Sequence, residues 1–125
     1  MPILAALALD AILTVAFAAI GRASHAEGIT ASGVLHTAWP FLVGLIVGWA
    51  VSALLTRRTP GWALSLRGGV PIWLGTVAVG MLVRRLTGDG TAFAFIIVAT
   101  ITLGVLLLGW RAVRMVMART RKQSV

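Results

Sequence analysis

Cysteine is absent from the 125 residues. That removes disulfides, thiolate metal sites and cysteine nucleophiles. Acidic residues are nearly absent too: 3 Asp+Glu stand against 11 Lys+Arg, for a net charge of +8. Charged residues make up only 11% of the chain, less than half the ~25% usual in a soluble domain. No serine–histidine–acid set, pair of catalytic carboxylates or phosphate-binding glycine loop can be assembled from so few polar groups, so the chain reads as a non-enzyme. The N-terminus lacks the basic start of a secretory signal, and its apolar run is long and carries Asp10. It reads as a retained first membrane span.

What is present is apolar. Hydrophobic residues form 59% of the chain and the mean hydropathy is +1.00. A core small enough for this chain length cannot bury that surplus, so lipid must cover it. Four stretches, at about residues 3–21, 34–55, 69–86 and 91–113, each approach the ~20 residues needed to cross the hydrocarbon. Without water to satisfy the backbone such spans are helical. The expectation is an all-α, polytopic membrane protein: one transmembrane domain over 1–125, built as a four-helix bundle, with a basic cytoplasmic tail at 114–125. The short turn Thr87-Gly88-Asp89-Gly90 makes the third and fourth spans antiparallel neighbours.

The basic residues orient this bundle. With both termini in the cytoplasm, Arg57, Arg58, Arg67 and the tail residues Arg111, Arg114, Arg119, Arg121 and Lys122 lie inside, and Arg22, Arg84 and Arg85 outside. The positive-inside rule selects this arrangement in the cell (plasma) membrane. A reporter fused to the C-terminus should therefore be cytoplasmic; activity only on the external side would overturn the orientation. The flanking charges read as contacts to membrane lipids rather than to nucleic acid.

The two halves resemble each other. Thr14-Val15-Ala16 precedes Arg22 by the spacing at which Thr76-Val77-Ala78 precedes Arg84. Thr37-Ala38-Trp39-Pro40-Phe41 is matched by Thr91-Ala92-Phe93-Ala94-Phe95, and Gly48-Trp49 by Gly109-Trp110. Two parallel helical-hairpin repeats would follow, with any pocket at the interface between them.

Polar groups inside spans demand partners. Asp10 at mid-span depth costs about 2.5–3.5 kcal/mol on insertion scales. Thr14 lies one turn away, and depth counting brings Thr76 and Thr102 to a similar level. These four form a candidate polar network, read as helix glue or as a proton or cation site, unless Asp10 lies nearer the inner interface. At the outer end, Arg22, His25, Glu27, His36, Arg84 and Arg85, with Asp89 nearby, form a candidate anion or head-group site; snorkelling arginines are the plainer reading. His25, Glu27 and His36 match no zinc spacing, so neither a metal nor another cofactor is assigned. Gly44 and Gly48 form a close-approach motif for helix packing or self-association, and Pro40 implies a modest kink or a helix start. Trp39, Trp62, Trp73 and Trp110 fit interfacial belts, with Trp49 deeper.

Taken together, Asp10, Arg22, His25, Glu27, His36-Thr-Ala-Trp-Pro-Phe41, Gly48-Trp49, Ile72-Trp73, Gly80-Met-Leu-Val-Arg84, Gly90-Thr-Ala-Phe93 and Leu108-Gly-Trp-Arg111 resemble a family of small four-span membrane proteins of unknown function found in actinobacteria and haloarchaea. The resemblance implies an integral membrane protein and carries over no catalytic residues. Two functions fit: a transporter or channel subunit for a small solute or ion, acting as a homo-oligomer, or a non-catalytic assembly or lipid-binding module, partnered by itself or another membrane protein.

Overall fold

The computed structural model describes residues 1–24 and 30–124. Four helices follow in order: α1 (Ile3–Ser24), α2 (Ala31–Thr56), α3 (Leu66–Leu86) and α4 (Phe93–Ser124), with a single 3₁₀ turn at Trp62–Leu64 before α3. All four are long and apolar enough to cross a membrane, and no strand occurs among the described residues. Two helix starts are capped by hydroxyls. Thr30 accepts from the Gly33 amide and Ser65 from the Gly68 amide, each at 3.0 Å, satisfying donors that a helix N-terminus leaves without partners. Gly88 closes the turn after α3 with φ of 85°, a left-handed conformation that side chains resist.

The spans fold as an antiparallel bundle. Both termini and the 3₁₀ turn lie at one end, hereafter the terminal end. The α1–α2 and α3–α4 connections lie at the other, the loop end. Large apolar side chains such as Leu4, Ile12, Ile46, Leu54, Ile101 and Val105 point outward, as expected where lipid rather than water is the solvent.

Helices α2 and α3 are the closest pair. Gly44 and Gly48 allow it: a β-carbon at Gly44 would lie 2.6 Å from the Thr76 carbonyl oxygen, and one at Gly48 2.7 Å from that of Ile72. Gly75 returns the contact, its missing β-carbon lying 2.6 Å from Gly48 Cα. This small-residue face is therefore used within the chain. Pro40 is buried inside α2, so it does not begin the helix. Phe17, Phe41 and Phe95 pack together nearer the loop end, with ring centroids 5.1–6.3 Å apart.

One boundary differs from expectation. Helix α4 continues without a break to Ser124, so the basic tail is helical. The segment between α2 and α3 packs onto the bundle. Ala63 is buried, Trp62 packs edge-on against Trp49 at 5.4 Å, and the Ser52 hydroxyl donates to the Gly68 carbonyl at 2.7 Å. The 3₁₀ turn thus plugs the terminal end.

Candidate functional site: a buried ion pair and a loop-end cavity

Asp10 and Arg111 are both fully buried and joined by two parallel bonds. Arg111 Nη1 donates to Oδ1 at 2.9 Å and Nη2 to Oδ2 at 2.7 Å. Two indoles complete the carboxylate: Trp110 Nε1 donates to Oδ1 at 2.8 Å and Trp49 Nε1 to Oδ2 at 2.9 Å. The rest of the guanidinium is also satisfied, with Nε donating to Ala63 O at 3.1 Å and Nη1 to Leu107 O at 2.8 Å. It stacks on Trp110, 4.4 Å from the ring centroid. Two charges taken out of water are tolerable only when geometry and remaining hydrogen bonds are complete, and here no buried side-chain polar atom lacks a partner among the described residues.

Helix direction explains the meeting. Side chains lean toward their own helix N-terminus. Arg111, near the terminal end of α4, therefore reaches back into the bundle; its bond to Leu107 O, one turn earlier, records that lean. Asp10 on the antiparallel α1 leans the opposite way, and the two converge. Gly69 leaves room for the arginine stem: a β-carbon there would sit 2.7 Å from Arg111 Cδ. The cluster joins α1, α2, α4 and the 3₁₀ turn.

This replaces the expected network. Thr14 is buried and next to Asp10, but its hydroxyl donates to the Asp10 backbone carbonyl at 2.8 Å. Thr76 lies on the α2–α3 seam and donates to Ile72 O at 2.7 Å. Thr102 is half-buried on α4. Neither Thr76 nor Thr102 is among the partners of the Asp10 carboxylate, because equal depth on two helices does not mean a shared face. Arg111 belongs inside the bundle, not among the tail charges. All four bonds to the carboxylate come from groups that only donate.

The loop end holds a cavity of about 350 Å³ built by all four helices. Phe17, Ala18, Phe95 and Val98 form apolar wall, and Arg22 and Arg84 line the same space. Arg22 donates to the Thr37 hydroxyl at 3.3 Å. Arg84 donates through Nε and Nη2 to Gly90 O at 3.1 and 3.0 Å, and its guanidinium lies 4.7 Å from the Phe95 centroid. Of the other expected members, Arg85 is exposed. His36 is exposed and 3.6 Å from the Asp89 carboxylate. His25 and Glu27 lie outside the described residues, and no cluster of three metal-ligating side chains occurs among the described ones.

Residues equated by the internal similarity meet one another. Arg22 and Arg84 line one cavity, Phe41 and Phe95 stack at 6.2 Å, and Trp49 and Trp110 share one carboxylate.

Residues 7–114 match a family described as proteins of unknown function, DUF3054. The chain belongs to it. The matched stretch contains Asp10, Trp49, Trp110 and Arg111, and it ends within the helical extension of α4. No curated protein and no solved structure matches the chain. With four membrane-spanning helices and this membership, the protein is a multi-pass membrane protein of the DUF3054 family.

Proposed function

We propose that this protein is a non-catalytic membrane module whose loop-end cavity binds an anionic phospholipid. The observation that carries the reading is that Arg22 and Arg84, from different helices, line one cavity whose remaining wall is largely apolar. Two guanidiniums offer charge-assisted bonds to phosphate oxygens, and the phenylalanine-lined wall suits the upper acyl chain. With both termini cytoplasmic, the site faces the outer leaflet.

Lipid binding fits the interior better than permeation through one copy. The Phe17–Phe41–Phe95 group fills the bundle near the cavity, and the Asp10–Arg111 cluster with the 3₁₀ turn fills the terminal end. A transport route would have to run between copies, and the Gly44–Gly48 face is already occupied by α3.

The test is native mass spectrometry of protein released from nanodiscs containing phosphatidylglycerol and phosphatidylcholine. Wild type should retain phosphatidylglycerol, and Arg22→Gln/Arg84→Gln should remove one bound lipid from the wild-type count, its occupancy falling roughly thirtyfold, the scale of two basic contacts at a membrane surface. Arg57→Gln/Arg58→Gln, at the other end, should retain it. Added inorganic phosphate should not displace the lipid. Equal retention by wild type and the Arg22/Arg84 variant would overturn the reading.

A further inference from the structure

The terminal end carries a second cavity, of about 450 Å³, between the start of α1 and the extension of α4. Trp110, Val113, Arg114, Met117 and Arg121 line it together with Met1. We propose that this cavity is a second anionic-phospholipid site, in the leaflet opposite the first, and that its occupant rests against the same Trp110 indole that holds Asp10.

The placement follows from helix length. A rise of 1.5 Å per residue takes a helix across about 30 Å of hydrocarbon in roughly 20 residues. Helix α4 begins at Phe93, so residues from about 113 onward stand at head-group level. Trp110, Val113 and Met117 follow one another at helical spacing and form an apolar stripe. Val113 and Met117 remain more than half exposed, which a water-facing helix would not favour. Arg114 and Arg121 flank that stripe and supply the two cationic contacts that a phosphodiester accepts.

Arg57, Arg58, Arg67 and Arg119 are also exposed on segments at this end, so the local field attracts an anionic lipid rather than a zwitterionic one. A tryptophan at this depth is well suited to the interface. Trp110 also donates to Asp10 Oδ1 at 2.8 Å and stacks on Arg111. A lipid in the cavity would therefore touch a side chain that belongs to the buried cluster. The site shares no residue with the loop-end cavity, so the two readings can fail separately.

The experiment is photocrosslinking in proteoliposomes with photoreactive phosphatidylglycerol or photoreactive phosphatidylcholine, with labelled residues mapped by peptide mass spectrometry. Phosphatidylglycerol should label residues 113–118 preferentially. Arg114→Gln/Arg121→Gln should lower that labelling roughly thirtyfold while leaving labelling around Arg22 and Arg84 unchanged. Because these arginines lie outside the buried cluster, the variant should keep the wild-type thermal midpoint, which verifies its fold. As a second readout, brominated phosphatidylglycerol should quench tryptophan emission, and Trp110→Phe should remove part of that quenching. Equal labelling of residues 113–118 by the two lipids, or unchanged labelling in the double arginine variant, would overturn the proposal.

Discussion

Asp10→Ala should destabilise the protein by about 3–5 kcal/mol, the range for removing one partner of a buried pair, whereas Asp10→Leu/Arg111→Met should cost much less. The single variant leaves the Arg111 guanidinium fully buried with neither carboxylate oxygen to receive it; the loss of an acceptor for the Trp49 and Trp110 indole N–H groups is common to both variants. The double variant removes both charges and fills the space with apolar volume, a substitution that is often neutral or stabilising. Asp10→Asn should resemble the alanine variant. Its amide nitrogen would present hydrogens to donors that need an acceptor. Thermal unfolding in detergent, followed by tryptophan emission or dye binding, measures all three. Equal destabilisation by the single alanine and the double variant would show that the pair is not the source of the loss.

The second large effect is expected where α2 meets α3. Gly75→Val should destabilise by at least 1–3 kcal/mol, the usual cost of forcing volume into a packed interior. Its first added carbon meets Gly48 Cα at 2.6 Å, a backbone atom that cannot rotate away. Gly48→Val should behave alike against Ile72 and Pro71. The control is Gly109→Ala, where the added carbon meets nothing within 4 Å. There the higher helix propensity of alanine should leave stability unchanged or raised. Thermal midpoints compared across the three variants decide the matter; a Gly75 variant as stable as the Gly109 variant would remove the close-approach argument.

Hydropathy alone revealed the helices and their number, because a lipid solvent forces every apolar run of this length into the same backbone solution. Partners within the bundle were harder to read. Arg111 sits inside the span that hydropathy drew to Val113, yet a basic residue near a span end is ordinarily a topology signal. Its inward reach depends on side-chain lean and on a gap at Gly69, neither of which is visible in composition. Trp110 likewise has the position of a belt tryptophan and the role of a donor to the buried carboxylate. Depth counting proposed Thr76 and Thr102 because it supplies height along a helix and nothing about azimuth. The pairing of Arg22 with Arg84 in one space was legible, since their equivalent positions in the two halves put both at the loop end. Gly44 and Gly48 announced a close contact, but which helix would fill it could not be read from the motif.

The ion pair also sets a schedule for biosynthesis. Asp10 and Arg111 are separated by 101 positions along the chain, so the acid enters the membrane long before its counter-charge has been made. Until α4 arrives, Asp10 has no guanidinium to meet. Helix α4 must be made before Asp10 can meet its partner, so a chain truncated before Arg111 should be a substrate for membrane quality-control proteolysis.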